Sequence, residues 1–134
     1  MKNYFVVFFL FLVPAFLFAQ EKEYYSFEVD IAPTPTNFAE MRRSIVYPDS
    51  AKNNNIEGAV VVQVLVNETG DIREIGKYSG DSVFYNVVLD AVSILKFKPA
   101  KYKGQTVRCW MNIPFKFALG NKNRSEESEN NESK

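Results

Sequence analysis

The 134-residue sequence predicts an α+β fold of two layers, a three-stranded antiparallel sheet with helices packed on one face. Three observations carry that reading. Valines alternate along residues 59–67, and a second strand follows across a short turn. A helical stripe occupies residues 83–95. A last strand, 107–117, has one apolar and one mostly polar face.

Residues 20–36 read as an extended leader, because Ala32-Pro33-Thr34-Pro35 disfavours helix before each proline. A helix is expected from Asn37, which can cap it with Glu40 three residues later as an approximate capping box. Phe38, Met41 and Ile45 fall on one face of that helix. Tyr47-Pro48 breaks it, and Pro48 can open a second short helix that the asparagines at 53–55 end. In the 59–67 strand, Val60, Val62, Val64 and Val66 point one way, and Val61, Gln63 and Leu65 the other. Glu68-Thr69-Gly70-Asp71 is a turn into the return strand, 72–79, where Gly76 weakens the strand or marks a bulge. Asp81 or Ser82 caps the long helix, whose stripe is Phe84, Val88, Ala91, Val92 and Leu95. Pro99 stops it, and Tyr102-Lys103-Gly104-Gln105 turns tightly into the last strand. There Val107, Cys109, Met111, Ile113, Phe115 and Phe117 alternate with Arg108, Trp110, Asn112, Pro114 and Lys116. The polar residues 120–134 form a solvated tail.

The amino terminus has a different character. After Lys2, residues 5–18 run without a charged or polar side chain, and Ala19 then precedes Gln20-Glu21-Lys22-Glu23. This is the pattern of a secretory signal peptide, residues 1–19, cleaved after Ala19. The alternative is an uncleaved anchor in the inner membrane. The expected location is therefore the periplasm, free or on the periplasmic side of that membrane. Cleavage would leave 15 Lys+Arg against 16 Asp+Glu. That balance provides no basic stripe for nucleic acid. The chain has no histidine and a single cysteine, Cys109, so the commonest general base, an intramolecular disulfide and a multi-thiolate metal site are all excluded. No phosphate loop, nucleophile elbow or metal-ligand spacing is present. No cofactor and no enzymatic activity are expected.

Tyr47-Pro48, Ala51, Ile56-Glu57-Gly58, the alternating valines to Asn67, and Gly70 resemble the opening of the TonB carboxy-terminal domain. Phe84, Phe97-Lys98-Pro99-Ala100, Gly104, Val107, Trp110, Pro114, Phe117 and Leu119 resemble its second half. The resemblance covers residues 37–119. Lys77 and Leu95 depart from it, standing where the family usually has an apolar residue and often a tryptophan. The family's transducers carry a membrane anchor and a long proline-rich spacer. Here about twenty residues with two prolines precede the domain, a reach of at most ~70 Å.

The resemblance implies a non-enzymatic module of TonB-dependent outer-membrane transport, which binds receptor segments by β-strand addition. The alternatives are an anchored energy transducer with a short spacer, and a structural or regulatory protein that has lost receptor binding. The partner would be an outer-membrane receptor or a sibling transducer component. Strand exchange could also give a homodimer. Pro114 cannot donate to a ladder, which argues for a free edge along Val107 to Phe117 and makes that strand the candidate docking site. Trp110, on its polar face, would either contact the partner or pack on Tyr102 or the leader. Cys109 would be a buried small hydrophobe. Secondary candidates are Arg42 and Arg43, for steering an acidic segment, and Tyr47 with Pro48, whose break between helices points to a structural role.

Overall fold

The computed structural model describes residues 21–120. The expected signal segment and the charged part of the tail lie outside the described residues. Three long strands form the antiparallel part of the sheet: β3 (Gly58–Val66), β4 (Ile72–Ser79) and β7 (Gln105–Phe117). β3 is central to it, pairing with β4 and, from Gly58↔Phe117 to Val66↔Cys109, with β7. Helices α1 (Phe38–Ser44), α2 (Asp49–Asn53) and α3 (Tyr85–Ser93) accompany the sheet, with a single 3-10 turn, Ser82–Phe84, leading into α3.

Four short strands extend this predicted core: β1 (Glu23–Tyr25), β2 (Thr34–Pro35), β5 (Phe97–Lys98) and β6 (Ala100–Tyr102). β1 pairs with β7, giving the order β1-β7-β3-β4. β6 folds back on the start of β7, and β2 pairs antiparallel with β5. The leader supplies two of these strands, with a turn at residues 26–28 between them. Segments of two or three residues show no period of their own; their partners define them.

The valines of β3 explain the core. Val60, Val62, Val64 and Val66 are all buried on the face that receives Phe84, Val88, Ala91, Val92 and Leu95. Ile113, Phe115 and Phe117 complete it from β7. At one end the Phe84 and Phe117 rings stack at 4.1 Å, and Tyr47 meets both edge-on at 5.8 and 5.7 Å. Such pairs add to the area term through ring quadrupoles.

Local chemistry fixes the connections. Asp81 caps as expected, accepting from the Val83 N–H at 2.9 Å. Lys103 and Gly104 both take positive φ, 50° and 76°, as the commonest two-residue hairpin turn requires. Gly70 (φ 84°) is irreplaceable for a second reason: a Cβ there would lie 1.9 Å from the Phe97 carbonyl oxygen, whose N–H bonds back to Gly70. The β4 bulge is present, since Val62↔Tyr78 and Val64↔Ile75 leave one extra residue on β4 around Gly76.

The capping box is a correction. Asn37 makes no side-chain bond to its own helix. Its amide instead donates to the Ile94 carbonyl at 2.7 Å and accepts from the Lys96 N–H at 2.9 Å. The two unsatisfied groups at the end of α3 compete successfully for the asparagine, tying α1 to α3.

Candidate functional site

β7 is the strand on which the site is built. Its register with β3 is unbroken over residues 109–117. Its inward side chains anchor it: Cys109, Ile113, Phe115 and Phe117 are buried, while Val107 and Met111 are half-buried. Asn112, Pro114 and Lys116 are exposed.

The expectation of a free edge from Val107 to Phe117 is corrected over part of its length. On the side away from β3, β1 runs parallel to β7 with Glu23↔Arg108, Tyr24↔Cys109 and Tyr25↔Trp110. Val107 pairs with Ala100 of β6. Beyond Trp110, residues 111–117 have no strand on that side among the described residues. The sequence could not show this, because β1 is held mainly by contacts to residues some eighty positions away.

Those contacts are specific. Arg108, its side chain only 16 % exposed, forms ion pairs with Glu21 and, at 3.2 Å, with Glu68 at the end of β3. Trp110 Nε1 donates to Glu23 Oε2 at 2.8 Å. Tyr24 lies 5.0 Å from Tyr102, centroid to centroid. The Ser26 N–H closes the ladder on the Trp110 carbonyl at 3.0 Å. Trp110 also reaches across the open face of the sheet. A Cβ on Gly76 would come within 2.9 Å of its ring, and its cross-strand neighbour Leu65 is fully buried although it points away from the helices. Trp110 therefore packs with the leader, and it does so by holding a leader carboxylate.

The unpaired half of β7 is flanked by two hollows. One of about 230 Å³ separates it from α1 and is lined by Phe38, Met41, Arg42, Ile45, Pro114, Phe115 and Lys116. Another of about 550 Å³, mostly apolar, lies over the paired ends of β3 and β7, beside Gly58, Ala59 and Pro114. Helical periodicity placed Phe38 with the core face of α1, but only Met41 is buried there; Phe38 stays 42 % exposed. The Arg42 guanidinium stands 6.0 Å from its ring centroid. Arg42 and Arg43 are exposed on the last turn of α1, and Arg42 lines the hollow beside β7. Tyr47 is not on that surface. Its ring packs in the aromatic cluster, its hydroxyl donates to the Ile56 carbonyl at 2.5 Å, and burial with the nearby Glu57 charge pushes its pKa up. Pro48 serves α2, its carbonyl accepting from the N–H groups of Ala51 and Lys52.

Sequence reasoning missed five participants. Glu21, Glu23 and Tyr24 hold β1, and the run Glu21-Lys22-Glu23-Tyr24-Tyr25, three charges and then two tyrosines, carries no strand period. Phe38 and Ile45 wall the hollow. The outer edge of β4 also has no strand partner among the described residues, but its pairing with β3 has two irregularities and its residues include Arg73, Glu74 and Lys77. Bulges and charges are the devices that discourage pairing at an edge.

The thiol on β7 is not set up as a nucleophile. Burial pushes the Cys109 thiol up to about 11, with the Glu28 charge adding, so at neutral pH it stays protonated and a poor nucleophile. Among the described residues no group of three or more His, Cys, Asp or Glu side chains could hold a metal ion. No helix among them is long and apolar enough to cross a membrane.

Comparison with solved structures places the fold. The TonB carboxy-terminal domain of Pseudomonas aeruginosa aligns with a TM-score of 0.50 and 24 % identity, covering 67 % of this chain and 89 % of that one. The corresponding domain of Helicobacter pylori aligns with a TM-score of 0.44 and 21 % identity, covering 63 % and 78 %. No curated protein matches significantly. The family model of the Gram-negative bacterial TonB protein C-terminal matches residues 43–119, from the last turn of α1 through β7, and the chain belongs to that family.

Proposed function

We propose that this chain is a periplasmic binding module of TonB-dependent outer-membrane transport. It engages an extended segment of an outer-membrane receptor, or of a sibling transducer component, by adding it as a strand to β7 along residues 111–117. The observation that carries this reading is the unbroken β7–β3 register beside an edge with no strand partner among the described residues. An unbroken ladder on one side keeps the outward N–H and C=O groups in register for an added strand, with an acceptor only at Pro114. Pro114 has no N–H to lose, which fits an outward-facing position; strand alternation then turns the N–H groups of Asn112 and Lys116 outward as well. The two hollows accept apolar side chains of the added strand. Arg42, Arg43 and Lys116 favour an acidic one, mainly by steering its approach. Strand addition makes and breaks no covalent bond, so the role needs no catalytic group.

NMR mapping of backbone amides, with synthetic peptides of extended periplasmic receptor segments, tests the reading. Shifts are expected to concentrate on residues 111–117. Asn112→Pro removes one outward donor on an exposed residue and should weaken binding about tenfold, near the ~1.4 kcal/mol of one edge hydrogen bond. Ile113→Pro is unsuitable, because Ile113 is buried opposite Val62 and its loss would damage the sheet itself. Shifts confined to other surfaces with every such peptide would overturn the proposal.

A further inference from the structure

The docking edge of β7 is continuous from Arg108 to Phe117, and the chain's own leader lies on its first three residues. β1 is short and lightly buried: Glu23 and Tyr25 are exposed, and only Tyr24 is partly covered. The carboxylates that clamp it, Glu21 on Arg108 and Glu23 on Trp110, are themselves exposed. It stops after Tyr25 for a local reason. The Glu28 carboxylate accepts from the Tyr25 N–H at 2.7 Å, and the Glu28 N–H returns to the Tyr25 carbonyl at 2.9 Å. This turn carries the chain away from Met111 and onto β6, where Ile31 and Lys101 exchange backbone bonds. The leader thus fills one part of the edge and leaves the next open.

We propose that residues 21–26 are a built-in competitor for the docking edge. They are displaced when a partner strand pairs along the whole of 108–117, and they shorten and weaken any pairing while they remain. This rests on the docking reading above and adds its regulation. The physical basis is that two strands cannot use the same N–H and C=O groups of Arg108 to Trp110. A binding-competent state populated to about one part in ten weakens apparent affinity about tenfold.

The test uses the chain as isolated from cells and a probe of known fit, a synthetic peptide with the sequence of residues 21–28. Glu21→Lys with Glu23→Lys sets like charge against Arg108 and removes the acceptor of Trp110, both on exposed residues that leave the core untouched. The peptide, which keeps its glutamates, is expected to bind this variant about tenfold more tightly than the unaltered chain, shifting the amides of residues 108–110 and the Trp110 indole. Equal affinity for the two proteins would overturn the proposal, and so would no binding to the variant. Receptor-segment peptides separate this from the docking reading. If they shift residues 111–117 equally in both proteins and leave residues 108–110 unmoved, docking stands and the competitor is refuted. If they shift neither stretch while the leader peptide binds the variant, docking fails and the occupied edge remains.

Discussion

Gly76→Ala probes how Trp110 is seated. A Cβ at position 76 would lie 2.9 Å from the Trp110 ring and 2.9 Å from the Gln63 side-chain oxygen. Alanine in an unstrained backbone position ordinarily stabilises by ~0.4–1 kcal/mol, through a less flexible unfolded chain. Here two opposing terms apply. If the indole stays, overpacking costs about 1–3 kcal/mol. If it swings aside, the bond to Glu23 is lost, at about 1 kcal/mol, and Leu65 loses part of its cover. The net expectation is destabilisation of about 1 kcal/mol, with the indole more exposed. The protein has one tryptophan, so its fluorescence reports this residue alone. Urea denaturation gives the stability, and acrylamide quenching gives the exposure. In a Trp110→Leu background the cost should shrink by more than half, since the remaining clash is with the movable end of Gln63. Unchanged emission with a stability gain of about 0.5 kcal/mol, the bare backbone effect, would show that Trp110 is not held against Gly76.

Other expectations follow from the core and its links. Phe84→Ala removes a fully buried ring stacked on Phe117 and should cost about 3–5 kcal/mol, read as a lower urea midpoint at unchanged slope; a loss below about 1 kcal/mol would mean the aromatic cluster re-closes. Asn37→Ala should cost about 1–3 kcal/mol and speed amide exchange at Lys96, because it orphans groups at the end of α3; an effect confined to α1 would restore the simple cap. Stability should also fall in alkali. The Cys109 thiol is raised from 9.0 to about 11 in the fold, so between those values the unfolded chain has released a proton that the native chain keeps, and stability declines as pH rises. The loss from this group reaches about 1.4 kcal/mol by pH 10. Burial raises Tyr47 and Tyr78 as well, which adds loss at higher pH. In Cys109→Ala the decline between pH 8 and 10 should be smaller by that amount, and identical declines in the two proteins would refute the assignment.

How much of this was legible depends on whether the signal was local. The valines of β3, the Phe84-to-Leu95 stripe and the alternation of β7 stand in the sequence, because burial on one face imposes a period of two or of 3.6 residues. So do the turns, since Gly70, Asp81 and Gly104 are needed for backbone reasons that act within a few residues. The composition also determined what chemistry was missing: no histidine and one cysteine on an apolar face. What the tertiary structure alone decided is which edges are open. A strand's sequence records which side chains go inward, but its two hydrogen-bonding sides carry the same N–H and C=O groups whatever the residues. Pro114 hinted at one unpaired stretch, but nothing local could show that Glu23–Tyr25 would occupy the stretch beside it. The same holds for Asn37, read as a cap from its neighbours and recruited by Ile94 and Lys96 from far along the chain. Side-chain burial is written as a pattern within each segment, whereas backbone pairing is a contest between segments that only the assembled fold resolves.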